Sequence, residues 1–155
     1  MQNANYSGTS VNRRFPSMRY KYQAHLDSIA NCPMPHFAPR KAEAYRYVFS
    51  DSAEKSFLPV LAKNPNRALN WNDVDRCSGW ALSFFTSAAT ARTLFESLRR
   101  LNPRIHKSLG NGIAVGQLSS GDGVSCEAER SGHFELHEYD GTELASKFSL
   151  LEALI

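Results

Sequence analysis

Ser87 opens a segment in which Ala88, Ala91, Phe95, Leu98 and Leu101 recur at helical spacing, directly behind the apolar run of residues 80–85. No other feature constrains the fold as much. The run Trp80-Ala81-Leu82-Ser83-Phe84-Phe85 suits a strand covered on both faces. The periodic segment after it suits a helix with one buried stripe. Ser87 supplies an N-cap hydroxyl, and Asn102-Pro103 supplies a stop. Glu96 and Arg100 stand four apart on the outer side, the spacing of a helical ion pair.

Other strands follow from alternation. Tyr45, Tyr47 and Phe49 alternate with Ala44, Arg46 and Val48 over residues 43–50, which turns Arg46 away from the aromatics. Ser50 and Asp51 then begin a helix with Phe57, Leu58 and Leu61 as its apolar face, and Pro59 limits it or starts a second turn. Residues 64–79 are polar and read as a long loop containing Trp71. Residues 112–118 alternate again, and Ser120-Gly121-Asp122-Gly123 offers a hairpin turn into a strand over 124–129. A strand over 133–139 and a final amphipathic helix with Leu144, Phe148, Leu151 and Leu154 on one face complete the order β-α-β-α-β-β-β-α. That order predicts an α+β fold with a mixed, largely antiparallel sheet flanked by two or three helices.

At 155 residues the chain is the size of one domain, and its 42% hydrophobic and 21% charged content suits a packed core. Residues 42–155 are expected to form it. Residues 1–41 read as a basic, partly extended arm, broken by Pro33, Pro35 and Pro39, with a short helix over 22–30. Arg13, Arg14, Phe15, Arg19, Tyr20 and Tyr22 interleave charge and aromatic surface there, which suits a protein partner or a nucleic-acid backbone. It equally suits a tail laid over its own domain. No apolar run reaches the ~18 residues of a membrane span, and the first twenty residues lack the apolar core of a secretory signal, so no membrane role and a cytoplasmic address are expected. Cys32, Cys77 and Cys126 are far apart and odd in number, which predicts reduced thiols rather than a disulfide framework or a zinc site.

The net charge of +3 hides an asymmetry: residues 1–46 carry seven Lys/Arg against two Asp/Glu, whereas residues 121–155 carry two against eight. Such halves suit either a partner surface or faces that meet across the fold. The basic set Arg92, Arg99, Arg100, Arg104, His106 and Lys107 suits phosphate contact or a solvated helix face.

His133, Glu135 and His137 share one face if 133–139 is a strand. The outer two lie ~13 Å apart along it, too far for one ion, so no metal is expected there. His133, after Gly132, remains a functional candidate. The glycine pairs 110/112 and 121/123 lack phosphate-loop spacing and read as turns. No GxSxG or HExxH occurs.

Three short motifs together resemble ADP-ribosyltransferases of the Arg–Ser–Glu type. Ala44-Tyr45-Arg46-Tyr47 stands where that family has an Arg on an early strand; Leu82-Ser83-Phe84-Phe85-Thr86-Ser87 stands for its Ser-bearing strand and following helix; Glu127-Ala128-Glu129 stands for its Glu-x-Glu. The resemblance implies that Arg46 holds the pyrophosphate of NAD, Ser83 supports the nicotinamide ribose, and Glu129 polarises it, with His133 close by. Otherwise no cofactor is expected. Three functions stay open at this point. The first is a non-catalytic subunit that joins a larger bacterial complex through its arm and charged surfaces. The second is an ADP-ribosyltransferase-like toxin or defence domain, active or degenerate. The third is a nucleic-acid-binding accessory protein.

Overall fold

The computed structural model describes residues 18–155, so Arg13, Arg14 and Phe15 lie outside the described residues. In chain order the elements are α1 (Gln23–Leu26), β1 (Ala42–Val48), α2 (Ala53–Ser56), α3 (Val60–Lys63), a 3-10 turn (Pro65–Ala68), α4 (Asp73–Gly79), β2 (Leu82–Phe85), α5 (Ala88–Leu101), α6 (His106–Leu109), β3 (Gly112–Leu118), β4 (Gly123–Ser125), β5 (His133–Glu138), a second 3-10 turn (Leu144–Lys147) and β6 (Phe148–Ala153). The six strands form one sheet in the order β4-β5-β2-β1-β3-β6, every pair antiparallel. The α+β class holds, with a sheet that is antiparallel throughout.

The β2–α5 pair is built as its sequence dictates. Ser87 Oγ accepts the Thr90 amide at 3.1 Å, and α5 ends with Asn102 as its C-cap. Its buried stripe is Ala91 and Phe95, which pack with Phe85, Ile113 and Leu154 on one face of the sheet. Leu101 points to solvent, and Arg99 rather than Arg100 pairs with Glu96, three residues away. On the other face Ala44, Leu82, Phe84, Leu118, Phe134, Leu136 and Leu144 make a second cluster. A third cluster lies beyond, where Leu26, Ile29, Leu61, Cys77 and Trp80 join α1, α3 and α4.

Three elements differ from expectation. The turn at 120–123 does not make a hairpin between adjacent strands, because β3 pairs with β1 and β6 while β4 pairs with β5 at the opposite edge. Residues 148–153 are a strand, not a helix. The open side of β3 offers main-chain partners, and its glycines make room for β6. A Cβ at Gly116 would lie 2.6 Å from the Phe148 ring, and one at Gly112 would lie 2.7 Å from Leu150. Sheet pairing thereby overrides the local apolar spacing. The segment 64–79 is also more ordered than a loop, because Asn72 caps α4 through Asp75 N.

Residues 20–40 lie against the sheet. Tyr20 bridges Tyr139, Ala38 bridges Ser125, and Lys21 Nζ reaches Glu138 Oε2 at 2.8 Å. Leu26 and Ile29 are buried, and Cys32 is joined to Cys77 by a disulfide. The expectation of three reduced cysteines therefore fails for two of them; only Cys126 is free. Forty-five residues separate the bonded pair, so no local spacing marks it. Closing a loop of that size removes denatured-chain entropy worth ~4 kcal/mol. Urea denaturation with and without a phosphine reductant is expected to show a stability loss of about that size. An unchanged midpoint would show that the disulfide carries no such constraint.

Candidate functional site

Strands β1 and β2 are neighbours, yet they share only one register pair, Tyr45↔Phe85. Beyond it the strands part, and the side chains around Arg46 and Ser83 line the opening. Arg46 stands on the Ala44 side of β1, with its guanidinium 5.7 Å from the Phe57 and Phe84 rings. Its Nε donates to Ser56 O at 2.8 Å and its Nη1 to Ser83 O at 2.7 Å. The cation thus satisfies one carbonyl that a continuous ladder would have paired, that of Ser83, and one at the end of α2, that of Ser56. Burial pulls its pKa down to about 10, while the carboxylate of Glu138 works in the opposite direction.

Ser83 projects from the other pleat. Register pairs it with Glu135 on β5 and places Phe85 opposite His133. Ser83 Oγ lies 3.0 Å from His133 Nε2, and Glu129 Oε1 lies 3.6 Å from His133 Nδ1. The loop that carries Glu129 is held by two main-chain bonds, Glu129 N to His133 O and Gly132 N to Glu129 O. Gly132 has φ +87°, and a Cβ there would lie 2.9 Å from Thr86 Oγ1, so this close approach needs glycine. The result is a Ser–His–carboxylate series in which the imidazole can exchange a proton with the hydroxyl. His133 is about one-quarter exposed, and Glu129 is 68% exposed.

Two concavities meet at this point. A cleft of ≈ 680 Å³ between α5 and the start of β5 is lined by Phe85, Thr90, Leu94, Ser97, Glu129 and His133. A smaller one of ≈ 210 Å³ follows the β1–β2 parting and includes Arg46, Lys63, Ser83, Phe85, Leu94 and His133. Phe85, Leu94 and His133 are common to both. Of the four residues expected from the sequence, Arg46 and Ser83 line the smaller cavity, Glu129 the larger, and His133 both.

Lys63 completes the smaller cavity, and sequence reading missed it. Burial lowers its pKa, and the charges of Arg46, Lys55 and Arg67 lower it further. Only its place in a polar stretch was visible in the sequence; its approach to Arg46 depends on the turn that Pro59 starts at α3. Glu135, also unassigned from sequence, takes a short hydrogen bond from Ser78 Oγ. Burial raises its pKa, and both the Ser78 bond and His133 oppose that rise. His137, the third residue of the pleat, lies away from the cleft beside the Cys32–Cys77 bond, where burial lowers its pKa to about 4. Of the aromatic arm residues, Tyr20 stacks on Tyr139 and Tyr22 packs against Trp80, so part of their surface is spent inside the protein. Arg19 stays exposed and accepts the Asp140 amide through its carbonyl.

Replacing Arg46 by Met keeps the aliphatic bulk and strips both carbonyls of their donor. A loss of ~2–4 kcal/mol in chemical denaturation is expected, since each stranded carbonyl costs ~1–3 kcal/mol. A variant as stable as wild type would show that water takes over both bonds. No known protein family, curated protein or solved structure matches the chain.

Proposed function

We propose that this chain is an ADP-ribosyltransferase-like domain that binds NAD in the cleft at the β1–β2 parting and cleaves its nicotinamide–ribose bond. One observation carries the reading. Arg46, Ser83 and Glu129 are far apart in sequence, match three separate motifs of one family, and line two cavities that share Phe85, Leu94 and His133.

The chemistry follows from the residues. A pyrophosphate needs fixed positive charge, and Arg46 with Lys63 supplies two cations in the smaller cavity. Arg46 keeps Nη2 outside its two main-chain bonds, so it can hold the sheet and still meet an anion. The Ser83 hydroxyl, set by His133, is placed to bond a ribose oxygen. Glu129 stands at the mouth of the larger cavity and stabilises the positive charge that develops on the ribose as nicotinamide leaves. The C–N bond breaks, its electron pair departs with nicotinamide, an acceptor oxygen or nitrogen forms the new bond to the ribose carbon, and the acceptor's proton passes to water.

A second reading rests on a different observation. Residues 38–40 cover the β4 edge, with Ala38 bridged to Ser125 and Arg40 Nε bonded to Ser125 O, whereas β6 is the terminal strand on the opposite side of the sheet. Leu150 and Leu151 on β6 are 56% and 49% exposed. An apolar edge strand of this kind favours a protein partner that adds a strand. This keeps the interaction-subunit reading and moves its contact surface from the arm to β6. Leu151→Lys, checked for an unchanged melting temperature, is expected to lose a partner captured by wild type from host extract. Equal capture by both forms would exclude β6 as the surface.

The transferase reading is tested by nicotinamide release from NAD, followed by chromatography. Glu129→Gln is expected to slow release by ~100-fold or more, the size of effect found for groups that stabilise developing charge. Lys63→Ala is expected to weaken NAD binding with little change in melting temperature. Absence of any saturation-transfer signal from millimolar NAD on folded protein would overturn the proposal.

A further inference from the structure

Outside that cleft, the densest grouping of ligating atoms lies at the far end of β5. Cys32 Sγ, Cys77 Sγ and His137 Nε2 all lie within 4.8 Å of one another. They come from three separate parts of the fold: the segment after α1, the last turns of α4, and β5. Cys77 and His137 are buried, and Cys32 is half-buried. His137 Nε2 faces both bonded sulfurs, 3.5 Å from Cys77 Sγ and 4.0 Å from Cys32 Sγ. Sulfur is a poor hydrogen-bond partner, so an imidazole 2% exposed has been brought to a place where its ring nitrogen gains little from hydrogen bonding. As a metal ligand it gains a full coordinate bond.

The distances suit that role. With Zn–S near 2.3 Å and Zn–N near 2.05 Å, a tetrahedral ion holds sulfur and nitrogen ligands about 3.5 Å apart. The two nitrogen–sulfur separations already bracket or approach this value, so only the sulfurs must part. Tyr20 and Phe37 pack their rings against His137 and fix its plane. The half-exposed Cys32 side leaves an entry path and a fourth position for water.

We propose that the reduced protein binds one thiophilic divalent ion, of which Zn2+ is the type, through Cys32, Cys77 and His137, so that this locus exists either as a disulfide or as a metal centre. The proposal is independent of the NAD reading, because neither sulfur nor His137 lines the cleft. The steps balance. A dithiol reductant gives two electrons and two protons to the disulfide and becomes a disulfide itself. The ion then displaces both thiol protons and binds two thiolates and a neutral imidazole, leaving a centre with no net charge to bury.

The full chain carrying Cys126→Ser removes the remaining thiol. It is reduced with a phosphine, desalted without air and titrated with Co2+. The expected result is one equivalent bound, with intense visible bands of tetrahedral Co2+ and thiolate-to-metal charge transfer. The oxidised protein is expected to show neither. His137→Ala is expected to bind at least about tenfold more weakly, since even outer-shell partners are worth that much. X-ray absorption of the Zn2+ form, which needs no variant, is expected to give two sulfur scatterers and an imidazole. A reduced protein that takes up no stoichiometric Co2+ overturns the proposal, even where reduction unfolds it and the ion fails to restore the fold. So does a first shell without sulfur, or equal uptake by the oxidised form.

Discussion

Arg46 joins the two halves of the sheet. The halves β4-β5-β2 and β1-β3-β6 touch through one register pair and through the bond this guanidinium makes to the Ser83 carbonyl, while a second bond ties it to Ser56 at the end of α2. A cation in such a place loses most of its hydration, which is why burial lowers its pKa. It stays because the parted strands leave the Ser83 carbonyl with no amide across from it, and the Ser56 carbonyl at the end of α2 accepts a second bond. The stacked Phe57 and Phe84 rings and the field of Glu138 offset more of the cost. The same parting that creates this requirement also opens the smaller cavity. Structure and electropositive cleft therefore have one cause.

Strand β5 is the other organising element, because its polar pleat feeds three environments in succession. His133 meets Ser83 and Glu129, Glu135 meets Ser78, and His137 meets the two sulfurs. The opposite pleat, Phe134 and Leu136, goes wholly into the core. Cys77 and Ser78 are consecutive on α4, and they reach His137 and Glu135, which are two apart on β5. One turn of helix thus fixes both the sulfur locus and the Glu135 carboxylate. Whatever moves α4 acts on both.

Much of this was legible in the sequence wherever local chemistry and tertiary demand agree. The β2–α5 unit has its cap, its stop and its buried stripe in one short run, so nothing elsewhere could overrule it. Alternation around Arg46 gave β1, and glycine-bounded alternation gave β3. The strand parity of His133, Glu135 and His137 also held. The misses share a different cause. Strand β6 carries apolar residues at helical spacing, and only the vacant side of β3 with its accommodating glycines makes it a strand. The turn at 120–123 has hairpin chemistry, but its two arms end on opposite sides of the sheet, an outcome no local pattern encodes. The disulfide and Lys63 depend on contacts across long stretches of chain. Arg46, Ser83 and Glu129 were singled out by a resemblance, and His133 by its place at the start of a strand.

The basic front of the chain meets its acidic last 35 residues directly, Lys21 pairing with Glu138 and Arg40 with Glu127, and Arg92 on α5 pairs with Glu152. On α5, Arg99 is taken by Glu96, so the helical basic face is partly neutralised before any polyanion arrives. Among the described residues, Arg46 and Lys63 have no ion-paired carboxylate, and neither do Arg100, Arg104 and Lys107. The first two line the cavity of ≈ 210 Å³. A nucleic-acid backbone requires cations spread along an open surface at the spacing of its phosphates. Arg46 and Lys63 form a compact cationic pair beside the Ser83 hydroxyl and the His133 imidazole, whereas Arg100, Arg104 and Lys107 are exposed and follow one another from the end of α5 into α6.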